Sequence, residues 1–366
     1  MKYVDEFRKS GLIHKVAGAI RAINPQGEIN IMEVCGTHTQ NFFRFGLDKL
    51  LPRNLNFIAG PGCPVCVSSQ EYIDQAIAYT QDKDIILVTF GDMLRVPGSR
   101  SSLEQARARR GNVFVAYSAL DALSFARRYP QKKIVFLAVG FETTASTIAL
   151  SILQAKKEKL RNIFFHSSLK TIPIAIQYLL RDKKLSLSGF LCPGHVSTII
   201  GSRAYEFIPE KYGIGCCVAG FEPLDILEGV YLLLRQIVKK SPAVENQYKR
   251  AVTGSGNLRA QKIIAEVFRQ CDASWRGLGR IPKSGLRLQD TFSCFDAQKM
   301  LPVKVKLPAP GPRAKKCRCA EVIKGLIKPD ACPLFSKACS PENPYGPCMV
   351  SAEGTCNAYY KYKKDA

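Results

Sequence analysis

The chain has 366 residues, 46% of them hydrophobic, with 14 cysteines and a formal net charge of +23. That length allows two or three domains with their own cores. It argues against a small disulfide-stapled secreted domain, and no apolar run reaches the ~20 residues that span a bilayer. The opening Met1-Lys-Tyr-Val-Asp-Glu6 lacks the apolar core of a signal peptide, so the expectation is a soluble, cytoplasmic protein. The charge has the sign that attracts nucleic acid, anionic membrane or an acidic protein. Lys and Arg are nevertheless dispersed and no nucleic-acid module is recognisable, which leaves a solvated basic surface or an acidic partner protein.

Residues 3–23 carry Val4, Phe7, Leu12, Ile13, Val16 and Ile20 near helical spacing. Short apolar runs then alternate with helical patterns. Strands are predicted at Ile29–Val34, Leu55–Ala59, Ile85–Thr89 and Val113–Ala116, with helices around Phe42–Leu51, Gln70–Thr80, Leu103–Arg109 and Ala119–Arg128. The pattern restarts with strands at Ile134–Val139, Asn162–Phe165, Ser188–Leu191 and Gly215–Ala219. Their helices fall near Thr144–Lys157, Ile172–Arg181, Ser197–Gly201 and Leu224–Lys239. Strands separated by helices imply parallel sheets with helices on their faces. The predicted fold is therefore α/β, with two similar tandem parallel-sheet domains over residues 1–124 and 125–240. Gly140-Phe-Glu142 and Gly220-Phe-Glu222 both end strands of the second half. Residues 241–366 form a third region. It is helical over 245–271, rich in Gly and Pro from Ser274 to Lys316 with a stiff connector at Leu307–Pro312, and then Cys-rich.

In parallel α/β sheets ligands collect beyond the carboxyl ends of the strands. Four motifs fall there: Cys35-Gly-Thr-His38, Gly60-Pro-Gly-Cys63-Pro-Val-Cys66, Gly140-Phe-Glu142-Thr-Thr144 and Cys192-Pro-Gly-His195. Cys63 and Cys66 form a CxxC at a strand-to-helix turn, where unpaired amides would favour a thiolate. Two buried structural thiols are the plainer reading. Cys35 and His38 add a soft ligand and a base or fourth ligand, although His38 also reads as a satisfied core residue. Thiolates suit iron, zinc or cuprous copper. Glu142 is either a carboxylate compensating a helix dipole or a proton carrier facing the thiol loops, and His195 has the same two readings. Cys192, Cys216, Cys217, Cys271 and Cys294 read as small core hydrophobes.

The last fifty residues hold Cys317, Cys319, Cys332, Cys339, Cys348 and Cys356 in a stretch too poor in apolar periodicity to fold without cross-links or a metal. From Cys317 to Cys332, Cys339 and Cys356 the successive gaps are 14, 6 and 16 residues. These gaps lack the paired hooks of a zinc ribbon, whereas an iron–sulfur cluster accepts wider ones. Cys319 and Cys348 are left over as a redox pair.

Taken together, these motifs closely resemble the HypD family of nickel–iron hydrogenase maturation proteins, over nearly the whole chain. Pro193-Gly-His195-Val, Cys332-Pro-Leu-Phe, Cys339-Ser-Pro-Glu-Asn-Pro and Cys348-Met-Val-Ser-Ala-Glu353-Gly-Thr-Cys356 extend the match. The resemblance implies a 4Fe-4S cluster on Cys317, Cys332, Cys339 and Cys356. It also implies a scaffold role in building an iron ion that carries cyanide and carbon monoxide ligands. It associates Cys35, Cys63, Cys66 and His38 with iron binding and assembly, with a HypC-type small chaperone and a HypE-type cyanide donor as partners. Glu142 and His195 would supply protons or hydrogen bonds, and Cys319/Cys348 would pass electrons towards Cys63/Cys66. Such a protein is an assembly factor rather than a conventional turnover enzyme. The competing readings are a thiol–disulfide reductase using the CxxC, and a zinc-containing nucleic-acid binder.

Overall fold

The computed structural model describes residues 2, 4–23, 26–305 and 316–363. The connector at 307–312 lies outside the described residues. The strands are β1 (Ile29–Glu33), β2 (Leu55–Ala59), β3 (Ile85–Thr89), β4 (Val113–Val115), β5 (Lys133–Gly140), β6 (Ile163–Lys170), β7 (Gly189–Pro193), β8 (Gly215–Ala219), β9 (Val244–Asn246), β10 (Phe268–Trp275) and β11 (Gly279–Leu288). They form two sheets. The first has the order β2-β1-β7-β8-β9 and is parallel throughout. The second has the order β10-β11-β6-β5-β3-β4, parallel from β6 to β4 and extended by an antiparallel β10–β11 hairpin.

The α/β class and the eight predicted strands are present, but the two units are not consecutive in sequence. The chain lays down β1 and β2, crosses to build β3–β6, returns for β7–β9, and crosses again for β10 and β11. A cut between residues 124 and 125 would split the second sheet between β4 and β5. Residues 245–271 also depart from the predicted helix: only Leu258–Val267 is helical, and it runs directly into β10. In β10 the face carrying Cys271, Ala273 and Trp275 alternates with exposed Gln270, Asp272 and Ser274, a short period-of-two pattern of small residues.

The layering follows from side-chain alternation along the strands. Phe190, Cys216 and Val218 face a central core that they share with Leu87, Val135 and Leu137 of the other sheet. Leu191, Cys217 and Ala219 face outward, onto Ile226, Val230 and Leu233 of the helix Pro223–Lys239. On the far side of the second sheet, Ile134 and Phe136 pack beneath Ala122, Ile148 and Ile152 of the helices Ala119–Arg128 and Glu142–Lys157. Cys192, Cys216 and Cys217 are fully buried, as expected of core thiols. Cys271 is only half-buried and Cys294 is exposed, so these two are not core residues.

The tail is not a separate lobe. Val322, Ile323, Met349 and Val350 enter the central core, and Tyr359 of the helix Thr355–Tyr362 packs edge-on against Phe43 at 4.4 Å. Lys328 Nζ reaches Asn56 Oδ1 at 3.3 Å across the exposed edge of β2. The tail thereby covers a strand edge that would otherwise offer unpaired amides. No helix among the described residues is long and apolar enough to cross a membrane.

Candidate functional site

Four of the loops at the carboxyl ends of strands belong to one sheet. Along β2-β1-β7-β8 they are Gly60–Cys66, Cys35–His38, Pro193–His195 and Gly220–Glu222. β1 leads to β2 on one side and lies beside β7, which leads to β8, on the other. The boundary between β1 and β7 is thus a topological switch point, where open α/β sheets form a crevice.

Cys35 caps the helix Gly36–Arg44. The amides of Thr37 and His38 favour its thiolate, yet burial, reinforced by the carboxyls of Glu353 and Glu33, pushes the thiol up to about 12. Glu33 ends an otherwise apolar strand and is itself buried, which raises its carboxyl to about 8. Its Oε2 accepts the Cys35 N–H at 2.9 Å, and the Thr39 hydroxyl donates to Oε1. Glu33 belongs to none of the loop motifs; its only signal in the sequence is that of a lone acid closing a hydrophobic strand. Two glycines let the loops close on one another. A Cβ at Gly62 would sit 2.4 Å from the Cys35 nitrogen, and one at Gly36 would sit 2.2 Å from the Glu353 carbonyl.

The CxxC loop is a turn, and the next helix, Gln70–Tyr79, starts four residues after Cys66 with Ser69 as its cap. The helix-terminal position expected for Cys63 is therefore held by Cys35 instead. Cys63 Sγ accepts the Cys66 N–H at 3.3 Å and lies 2.7 Å from Cys66 Sγ. Burial holds the Cys66 thiol well above its usual range, with the neighbouring Cys348 and Cys63 thiols also acting on it, and Cys66 Sγ donates to the Pro347 carbonyl of the tail at 3.7 Å. Cys348 Sγ in turn lies 3.1 Å from Cys319 Sγ, and Cys317 and Cys319 both lie against Gly346. Two close sulfur pairs, Cys63/Cys66 and Cys319/Cys348, are thus neighbours, with Cys317 beside the second.

The second pair borders a cavity walled by Cys317, Cys319, Cys332, Cys339, Cys348 and Cys356, together with Val322, Leu334, Phe335 and Met349. All six tail cysteines therefore meet around one space. Among the described residues, no group of three or more His, Cys, Asp or Glu side chains is arranged to hold a metal ion. The six sulfurs around the cavity nevertheless offer a donor set. Those donors suit an iron–sulfur cluster: they are sulfurs only, in an apolar wall, with the Tyr345 N–H already directed at Cys339 Sγ at 3.4 Å.

His38 is fully buried, and burial lowers its imidazole to about 4, so it is neutral. Its Nε2 donates to the carbonyls of Gly220 at 2.8 Å and Ala219 at 3.2 Å. His195 is exposed and stacks on Phe221 at 3.9 Å, and His38 lies against the same ring at 5.0 Å. Glu142 starts a helix on the other sheet, where its Oε1 accepts the Ile172 N–H at 3.0 Å. Burial raises Glu142 to about 7. Among the described residues no hydrogen bond joins Glu142 or His195 to a thiol.

The chain is a cysteine-rich α/β protein whose sheet switch point carries a thiol, a neutral imidazole and a dithiol close to a cysteine-lined cavity. A family model described as "HypD: Hydrogenase formation hypA family" matches residues 11–363. The chain is 42% identical to the hydrogenase maturation factor HypD of Escherichia coli (strain K12), covering 100% of this chain and 99% of that protein. It is 44% identical to that of Rhodobacter capsulatus, covering 99% and 98%, and 43% identical to that of Azotobacter vinelandii, covering 99% and 97%. The chain belongs to the HypD family of hydrogenase maturation factors.

Proposed function

We propose that the chain is a scaffold on which the Fe(CN)2CO group of nickel–iron hydrogenase is assembled, with the iron ion as its cargo at Cys35. The observation that carries this reading is the succession of two close thiol pairs, Cys319/Cys348 at the cysteine cavity and Cys63/Cys66 next to it, the latter on a loop that packs on Cys35. Cys317, Cys332, Cys339 and Cys356 would hold a 4Fe-4S cluster, which supplies single electrons when bound.

The protein's own thiols do the remaining work. If Cys63 and Cys66 are oxidised to a disulfide, they have given up two electrons and two protons. A Cys348 thiolate can then attack Cys66, releasing the Cys63 thiol and forming a Cys66–Cys348 mixed disulfide. Attack by Cys319 on Cys348 frees Cys66 and leaves a Cys319–Cys348 disulfide. Two electrons have moved from the tail pair to the CxxC, and the thiols exchange protons among themselves. Burial around Cys35 excludes water and keeps its proton until a cation displaces it. His38, neutral and buried beside it in the chain, supplies a nitrogen lone pair.

A HypC-type chaperone sharing the iron and a HypE-type cyanide donor are the partners this role calls for, and the basic surface favours acidic ones. A general thiol–disulfide reductase would need an accessible first cysteine, and Cys63 is 5% exposed under the tail. Replacing Cys35 with Ala should abolish the cyanide and carbonyl infrared bands of protein purified without oxygen; bands of undiminished strength would refute the ligand role.

A further inference from the structure

We infer that Phe221 is a positioning residue that fixes His38 as its Nε2–H tautomer and leaves the Nδ1 lone pair for the iron cargo, a role that rests on the iron-assembly reading above. Backbone carbonyls only accept hydrogen bonds. Nε2, which faces the carbonyls of Ala219 and Gly220, must therefore carry the proton of the neutral ring. Nδ1 is then the bare nitrogen, and it is buried with no hydrogen-bond partner. Histidines that bind metal ordinarily donate their other N–H to a carbonyl or carboxylate, which sets the tautomer and the ring orientation. His38 has that donor half in place.

The two carbonyls belong to the end of β8 and the turn after it, and Phe221 follows them directly with its ring against the imidazole. Its ring lies 5.0 Å from His38 with an interplanar angle of 32°, and 3.9 Å from His195 at 25°. Its own carbonyl accepts from Asn41 Nδ2 at 2.9 Å, so the helix Gly36–Arg44 grips the turn twice, through His38 and three residues later through Asn41. From behind, Gln247 Oε1 accepts the Gly220 N–H at 3.1 Å, and Asp225 accepts the Glu222 N–H at 3.1 Å. Asp225 is itself fully buried and is held by Arg250 at 2.6 and 2.7 Å. The turn is held as an acceptor from behind, and the Phe221 ring lies in tilted contact with His38 beside it. His195 closes over Phe221 from the solvent side.

The test uses the full chain labelled with 15N-histidine, kept free of oxygen. Long-range proton–nitrogen spectra of the four histidines, assigned by single replacement, should show His38 protonated at Nε2. Ferrous ion should broaden His38 Nδ1 ahead of Nε2. F221A should lose the single-tautomer signature and bind ferrous ion about tenfold more weakly in equilibrium dialysis, and F221Y should restore both. A proton on Nδ1 in the unsubstituted protein overturns the inference, whether or not F221A folds. So does a folded F221A with unchanged spectrum and iron affinity. If the unsubstituted protein holds no ferrous ion, the assembly reading fails and this positioning role fails with it. If iron binds and only the Phe221 results disagree, the assembly reading stands alone.

Discussion

Thr37 and Glu353, 316 positions apart, share a 2.7 Å hydrogen bond in which the hydroxyl donates to the carboxyl. This contact ties the Cys35 loop to the segment that follows Cys348, so the two sulfur sites are mechanically joined. Thr37→Val should leave a largely buried carboxyl without its donor, at a cost of about 1–3 kcal/mol. Amide hydrogen exchange should quicken both at 36–39 and at 351–355. Loosening confined to one of the two segments would show that they open independently.

The two thiol pairs make a second expectation. In a protein carrying both Cys63→Ser and Cys319→Ser, the exchange described above has lost the thiol that resolves it at each end. A two-electron thiol oxidant such as diamide should then trap Cys66 joined to Cys348, and peptide mapping by mass spectrometry reads the link. Recovery of Cys66 as a free thiol, with Cys348 joined elsewhere, would break the exchange at its middle step.

How much of this was written in the sequence depends on the length scale of the signal. The parallel strands are buried on both faces, so Ile85–Thr89 and Gly215–Ala219 stand out as short apolar runs. The loop motifs were equally visible, because Gly, Pro, Cys and His in such clusters have few structural uses. Strand order was not visible: nothing local in Ile29–Glu33 says that its neighbour will be β7 rather than β3. The division into consecutive domains failed for that reason. The hairpin of β10 and β11 was hidden because the more buried face of β10 is built mostly of small residues, Cys271 and Ala273, before Trp275. Phe221 looked like one more strand end, since its value comes from two histidines that are remote in sequence.

Glycine at 62 is required by the approach of two loops, and Gly18 offers the contrast. A Cβ at Gly62 would meet the backbone of Cys35, which cannot move without disturbing Glu33. Gly62→Ala should therefore lower stability by about 1–3 kcal/mol, the usual range for overpacking. Gly18 lies within the helix Ser10–Ile23 with nothing near its would-be Cβ, so Gly18→Ala should raise stability by roughly 0.5–1 kcal/mol. Urea unfolding midpoints measure both, and equal shifts of the same sign would contradict the packing account.

Glu142 gives the fold a pH dependence whose sign follows from its burial. The folded carboxyl titrates at about 7, against 4.5 for the free group, because burial penalises the charge and Oε2 has no hydrogen-bond partner. The native state thus holds its proton more tightly than the unfolded chain. Its stabilising contribution is complete below pH 4.5 and is lost as pH rises through about 7. A displacement of this size corresponds to roughly 3–4 kcal/mol between the extremes. Glu33 titrates at about 8 and loses stability over an overlapping range, so the informative quantity is the difference between the protein and Glu142→Gln. That difference should favour the native residue most at pH 5 and shrink or reverse by pH 8.5, as followed by thermal unfolding. A difference that stays flat across this range would mean that Glu142 is ionised in the folded protein, and that the buried end of the helix Glu142–Lys157 carries a full charge.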